Sequence, residues 1–118
     1  MPDQPDLSRK IFTLHEAREL LPTVRQLTEQ AVHAAAALAS RLQHLPEDDP
    51  ARDSLGASLN DVVSGWATHL QDLGVEVKGL WLVDFDNGDG YYCWAYPEPS
   101  LSHYHGYEDG FAGRMTIQ

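Results

Sequence analysis

The sequence is poor in cysteine and in basic residues, and it lacks a long apolar run. A single cysteine, Cys93, stands among its 118 residues, so an internal disulfide is excluded and a reducing compartment is expected. No apolar run approaches the roughly 20 residues that cross a bilayer. The opening residues 1–6 are acidic and rich in proline, unlike the start of a signal peptide. We therefore expect a cytoplasmic protein with no membrane partner.

Acidic residues outnumber basic ones by a wide margin. The chain has 8 lysines and arginines against 18 aspartates and glutamates, which gives a formal net charge of −10. Binding to nucleic-acid phosphates needs clustered positive charge, yet only Lys78 and Arg114 lie beyond Arg52. The sequence also lacks a P-loop, a dinucleotide-binding fingerprint and a G-x-S-x-G motif. No direct nucleic-acid partner is expected.

Two amphipathic helical segments occupy the first part of the chain. Thr13 and Glu16 have the spacing of a capping box, which places a helix start there. Pro22 is expected either to kink this helix or to end it and start it again. A short turn with two prolines and three acids follows, and a second apolar stripe covers 55–73. A short turn between two long helices predicts an antiparallel helical hairpin over about 13–73.

Beyond the hairpin the pattern changes to that of β-strands. Residues 75–85 are rich in β-formers, and residues 86–90 form a strong hairpin turn because Asn and Gly tolerate positive φ. Returning strands are predicted over 91–96 and 101–105, and the glycine-rich segment 110–114 is expected to be irregular. The predicted fold class is therefore α+β, a long antiparallel α-helical hairpin followed by a small three-stranded antiparallel sheet.

The chain length fits one domain. We expect a disordered lead-in over residues 1–10, because this segment is polar and proline-rich. Residues 11–118 should then form a single domain, with the hairpin over about 13–73 and the sheet and C-terminal tail over about 75–118.

Short motifs at both ends of the chain match the pattern of one bacterial family. They are Ile11-Phe12-Thr13, Glu16-Ala17, Leu21-Pro22, Gly74-Val75-Glu76-Val77-Lys78, Val83-Asp84-Phe85, Cys93-Trp94, Glu98, His105 and Gly110-Phe111-Ala112-Gly113-Arg114. On these motifs the chain resembles domain of unknown function 2203 over nearly its whole length. That family usually has glycine where Pro97 stands, tryptophan where Tyr104 stands and an acid where Gly106 stands. The resemblance implies a shared fold and brings no established activity.

Side chains of metal-ligand type concentrate near the C-terminus. His103 and His105 alternate with one residue between them, so on a strand they project from the same face. Glu98 lies just upstream. Two imidazoles and a carboxylate suit Zn²⁺ or another first-row divalent metal. We therefore predict Glu98, His103 and His105 as metal ligands, with a divalent metal as the sole candidate cofactor and no residue assigned as catalytic.

A structural interpretation of the same residues stays open. In it, His105 donates to a carboxylate or a carbonyl, and Glu98 pairs with Arg114, which ties the C-terminal tail to the sheet. We expect Trp94, Tyr104 and Arg114 to have structural or ligand-binding roles.

Two other features near this region are assigned structural roles. Cys93 is expected to be a small buried apolar residue of a strand. The acidic segment 84–90 lacks the spacing and the final glutamate of an EF-hand loop, so it is interpreted as a solvated turn.

The preferred functional prediction is a non-enzymatic, homo-oligomeric interaction or scaffold module. The hairpin carries more apolar surface than three short strands can cover. The alanine-rich stretch 31–39 is small on every face, as expected where a second copy packs to form a four-helix bundle, although alanine is also simply a strong helix former. We expect a homodimer, with a different protein as the alternative partner. The alternative function is a small metal-binding protein, or a metal-dependent or acid–base enzyme, centred on Glu98 and His105.

Overall fold

A helical hairpin forms the first half of the structure. The computed structural model describes residues 10–118, so the predicted lead-in lies outside the described residues except for Lys10. The hairpin consists of α1 (Leu14–Gln43) and α2 (Ala51–Asp72), which pack against each other. None of the helices within the described range is both long and apolar enough to span a bilayer.

The start of α1 is the one that the sequence predicts. The Thr13 hydroxyl accepts a hydrogen bond from the Glu16 amide at 3.1 Å, and the Thr13 amide donates to the Glu16 carboxylate at 2.9 Å. These two bonds satisfy donors that a helix start otherwise leaves unpaired. α1 continues through Pro22, so the proline does not end the helix. Its 30 residues give it a length of about 45 Å.

Trp66 of α2 is joined to α1 inside the apolar core. Its indole Nε1 donates to the Thr28 hydroxyl at 2.8 Å, and that hydroxyl donates to the Val24 carbonyl at 2.7 Å. Thr28 is fully buried. Because its hydroxyl both accepts and donates a hydrogen bond, the buried polar group is satisfied.

A five-stranded antiparallel sheet follows the hairpin. The strands pair in sequence order, each with its neighbour along the chain. The α+β class and the antiparallel hairpin are confirmed, but the sheet has five strands where three were predicted. The strands are β1 (Glu76–Gly79), β2 (Leu82–Asp86), β3 (Tyr91–Ala95), β4 (His103–His105) and β5 (Met115–Thr116).

The two additional strands arise from turns that the sequence pattern did not reveal. The segment 75–85 folds back on itself at Trp81, whose φ is 62°, and this separates β1 from β2. The Trp81 ring, which is partly buried, packs edge-on against Trp66 with centroids 4.9 Å apart, and this contact supports the unfavourable backbone conformation. Near the C-terminus, one turn of 3₁₀ helix (Phe111–Gly113) sets β5 beside β4.

The two faces of the sheet differ in chemistry. Val83, Phe85 and Trp94 are fully buried and belong to the main apolar cluster with the helices. Successive side chains of a strand point to opposite faces, so Asp84 and Cys93 lie on the face turned away from the helices. Both are nevertheless buried. A polar cluster is therefore buried on that face, beside Tyr107, Gly110 and Phe111 of the C-terminal segment.

Candidate functional site

Three side chains of metal-ligand type meet on the polar face of the sheet. Asp84 of β2 and Cys93 of β3 are direct cross-strand partners. His105 of β4 is the cross-strand partner of Tyr91 in β3. Because Tyr91 is two residues from Cys93, His105 projects from the same face of the sheet as Cys93. One ligand atom from each of Asp84, Cys93 and His105 lies within 4.8 Å of the others, and all three residues are buried. We refer to these three residues as the Asp–Cys–His cluster.

Both ring nitrogens of His105 are engaged. Its Nδ1 lies 2.7 Å from the Gly106 carbonyl oxygen, and because a carbonyl only accepts, Nδ1 carries a hydrogen. Its Nε2 lies 3.1 Å from Oδ2 of Asp84. A hydrogen bond between these two atoms requires one shared proton, either on Nε2 or on the carboxyl group. A metal ion can replace that proton while Nδ1 stays on its carbonyl, an arrangement that metal-binding histidines commonly have.

Neither Asp84 nor Cys93 is in an environment that favours its ionised form. Burial raises the pKa of Asp84 above its ordinary value, although the neighbouring His105 acts in the opposite direction. Burial, together with the charge of Asp84, raises the pKa of the Cys93 thiol to about 12. Such a thiol is a poor nucleophile at neutral pH, because the thiolate is the reactive form. The arrangement therefore does not support nucleophilic catalysis by Cys93.

One atom of the cluster has no partner. Oδ1 of Asp84 is buried, and no described residue lies within hydrogen-bond distance and angle of it, although the neighbouring Cys93 thiol also lowers the pKa of Asp84 through a weaker side-chain interaction. A buried acceptor left unpaired typically costs about 1–3 kcal/mol, and more when it is charged. A bound cation would supply the missing interaction and would favour the ionised forms of both Asp84 and Cys93.

A cavity of about 350 Å³ opens over the Asp–Cys–His cluster. Its volume falls near the lower end of the range typical of small-molecule sites. Lys78 lies on its rim, with Nζ 3.1 Å from the Glu76 carboxylate and 3.3 Å from the Tyr91 hydroxyl. Besides the cluster, the lining residues are Lys78, Leu82, Tyr91, Tyr107, Gly110 and Phe111.

Glu98 forms a two-point ion pair with Arg114. The guanidinium nitrogens lie 3.0 and 2.9 Å from the two carboxylate oxygens, and the Ala95 amide donates to Glu98 Oε1 at 2.7 Å. Burial acts to raise the pKa of Glu98, but Arg114 and the Ala95 amide outweigh it and hold this pKa below its ordinary value. This is the pairing that the structural interpretation of the sequence describes.

The sequence-predicted ligands are divided between two places. His103 adjoins Glu98, with Nδ1 3.7 Å from Oε2, whereas His105 turns its Nε2 towards Asp84. The set of Glu98, His103 and His105 stays a prediction. Sequence reasoning missed Asp84 and Cys93 as candidates, although the turn over 86–90 sets the register in which they face each other.

The remaining sequence-predicted residues surround the site. Trp94 is fully buried in the core, and its indole donates to the Glu98 carbonyl at 2.9 Å. Tyr104 is exposed on β4. Arg114 lies next to the Asp–Cys–His cluster, because its Nη1 is 4.0 Å from Cys93 Sγ.

Comparison with known families assigns nearly the whole described region to one family. The family model described as an uncharacterized conserved protein, DUF2203, matches residues 10–117. The chain belongs to the DUF2203 family. The resemblance inferred from the sequence motifs is thereby confirmed. No curated protein and no solved structure matches the chain. The DUF2203 description names no activity.

Proposed function

We propose that this DUF2203 chain is a small metal-binding protein that holds one first-row divalent cation between Asp84, Cys93 and His105. The observation that carries the proposal is the convergence of three buried ligand atoms within 4.8 Å of one another. Carboxylate, thiolate and imidazole are the donor types that Zn²⁺ takes in proteins. The expected cytoplasmic location fits, because a reducing compartment keeps Cys93 available as a ligand.

The spacing of the cluster suits a tetrahedral ion. With metal–ligand distances of about 2.0–2.3 Å, the ligand atoms of a tetrahedral zinc site stand roughly 3.3–3.8 Å apart. The distance between Asp84 Oδ2 and His105 Nε2, 3.1 Å, lies just below that range. The largest separation within the cluster is at most 4.8 Å, which is above it. Small side-chain adjustments would therefore suffice to form the site.

Charge balance favours a divalent ion. Binding would displace two protons, the one shared by Asp84 and His105 and the one on the Cys93 thiol. Two positive charges leave and two arrive, so the net charge of this buried site does not change. A buried site that stays neutral avoids the large penalty for burying uncompensated charge. Coupled release of protons is a general property of sites with protonated ligands.

Zinc affinity of single variants tests the assignment. We expect the wild-type chain to bind one Zn²⁺ in competition with a chromophoric chelator. Asp84→Asn, Cys93→Ser and His105→Ala should each weaken binding by at least about 100-fold, more than is typical when a residue only supports a ligand. His33→Ala is the control, because His33 is exposed on α1, and it should bind as the wild type does.

Two further variants separate this set from the one predicted from the sequence. Glu98→Gln and His103→Ala should retain most of the zinc affinity if the Asp–Cys–His cluster is the site. Loss of binding in these two variants, with binding retained in Asp84→Asn, would move the metal to Glu98 and His103 and refute the proposal.

A second candidate function is the homo-oligomeric module predicted from the sequence, and the shape of the hairpin supports it. The buried residues of α1 end at Ala31, although the helix continues to Gln43. The described chain extends over 51 × 40 × 25 Å. A groove lined by Ala31, Val62 and Trp66 runs between the two helices. A second copy packed on this groove would form a four-helix bundle, the assembly expected for paired hairpins.

Light scattering at tens of micromolar tests this candidate. The wild type should be a dimer if the interface exceeds the roughly 1,000 Å² of a specific contact. Ala34→Arg, one turn along α1 from Ala31, should then give monomers. Ala36→Arg, which is also exposed but points to another side of α1, should stay dimeric. A wild-type chain that is monomeric at this concentration would refute the tight homodimer.

A further inference from the structure

The Asp–Cys–His cluster supplies three ligands where a tetrahedral ion takes four. Zinc sites with four protein ligands are generally structural, whereas three protein ligands leave a position for water or another molecule. Among the described residues, the ligand-type group at this place has three members. The open position would face the cavity, because Asp84, Cys93 and His105 all line it and the opposite side of the sheet is filled by the apolar core.

The cavity combines one positive charge with apolar walls. Lys78 is the cationic side chain that lines it within the described part of the chain, and Leu82 and Phe111 provide the apolar surface. Glu76 and the Tyr91 ring hold the Lys78 ammonium at the rim, 4.4 Å from the ring centroid. Asp84 is the acid among the lining residues, and the two charges of the metal would be balanced by Asp84 and by the Cys93 thiolate. An anion in the cavity would therefore meet the Lys78 ammonium and the open coordination position of the metal.

We propose that the cavity binds a small organic carboxylate, whose carboxylate group occupies the open position on the metal and whose apolar body lies against Phe111. This inference rests on the proposed metal site. A single lysine at the rim, which acts as a point charge, matches the single charge of a monoanion. Because the chain has a net charge of −10, its overall field repels anions, and binding of a carboxylate would depend on the metal and on Lys78.

Cobalt-substituted protein gives a direct test. Co²⁺ bound to Cys93 should show a thiolate charge-transfer band, and its visible d–d spectrum should report the fourth ligand. Titration with benzoate is expected to change the d–d spectrum to saturation with one benzoate per cobalt. Lys78→Met should weaken benzoate binding by about fivefold without changing cobalt affinity. Phe111→Ala should weaken binding of benzoate and leave binding of acetate, which has no ring, unchanged.

Lys10→Met is the matched control, because Lys10 lies over the Phe12 ring, 5.0 Å from its centroid, and not at the cavity. Cobalt that binds with a thiolate band but does not respond to acetate or benzoate would refute the carboxylate site and leave the metal site standing. Inorganic phosphate that binds as tightly as benzoate would refute the carboxylate class. A chain that binds no cobalt refutes the metal site, and the carboxylate inference with it.

Discussion

Replacing Asp84 with asparagine separates the stability of the metal-free fold from its affinity for metal. The amide has nearly the shape of the carboxyl group, and its NH₂ can donate to His105 Nε2 across the same 3.1 Å contact. The raised pKa of Asp84 means that the folded chain holds the proton more tightly than the unfolded chain, whose pKa is near 3.8. The stability of the metal-free wild type therefore falls as pH rises from the unfolded pKa through the folded pKa.

The direction of the effect follows from this linkage. Each pKa unit of displacement corresponds to about 1.4 kcal/mol in the free energy of unfolding. We expect Asp84→Asn to stabilise the metal-free protein at pH 7 and to raise its melting temperature, because asparagine has no proton to lose between the unfolded and the folded pKa. The difference should disappear below the unfolded pKa, where Asp84 is protonated in both states.

Zinc should reverse the order of stability. An ion present at about 1,000 times its dissociation constant stabilises the protein that binds it by roughly 4 kcal/mol, and Asp84→Asn should gain far less. Thermal unfolding followed by circular dichroism, with EDTA and then with Zn²⁺, measures both effects on the same samples. A variant that is less stable than the wild type in EDTA at pH 7, and that gains as much from zinc, would refute the reasoning.

Three further predictions concern the stability of the sheet and of the helical hairpin. Glu98→Gln should destabilise the protein by about 1 kcal/mol at pH 7. The lowered pKa of Glu98 adds stability to the wild type, and this stability is lost as pH falls through the folded pKa. The free energy of urea unfolding of the variant should therefore depend less on pH in the acid range. Trp66→Phe should cost about 1–3 kcal/mol by removing the donor to the Thr28 hydroxyl, and a double-mutant cycle with Thr28→Val should show coupling. Gly90→Ala should destabilise the protein by about 1–3 kcal/mol, because the new Cβ would lie 2.5 Å from the backbone oxygen of His105 in β4. Gly65→Ala is the control: no heavy atom lies within 4 Å of the new Cβ, and the change should stabilise α2.

The parts of the fold that local chemistry determines were predictable from the sequence. The capping box of Thr13 and Glu16 joins residues three positions apart, and the turn over 86–90 depends on its own asparagine and glycines. The break at Trp81 was not predictable in this way. Its positive φ is supported by the contact with Trp66 and by the hydrogen bond from the Tyr96 amide to the Trp81 carbonyl at 3.0 Å. Both partners are distant in the sequence.

The candidate site also contains one contact that was predictable from the sequence and one that was not. The pairing of Glu98 with Arg114 follows from their opposite charges on one short C-terminal segment. The meeting of Asp84 and Cys93 with His105 depends on the register of three strands and on the direction of one imidazole ring. Sequence reasoning selected His105 for its spacing from His103. Strand spacing places the two on the same face, but it does not show which carboxylate each ring reaches.

X-ray absorption at the zinc edge of the purified, zinc-loaded wild-type chain tests the central claim most directly. The Asp–Cys–His cluster predicts one sulfur scatterer at about 2.3 Å, together with nitrogen and oxygen scatterers at about 2.0–2.2 Å. The sulfur shell should vanish in Cys93→Ser. A spectrum of the wild type that contains nitrogen and oxygen scatterers and no sulfur would contradict the account and would favour Glu98, His103 and His105 as the ligands.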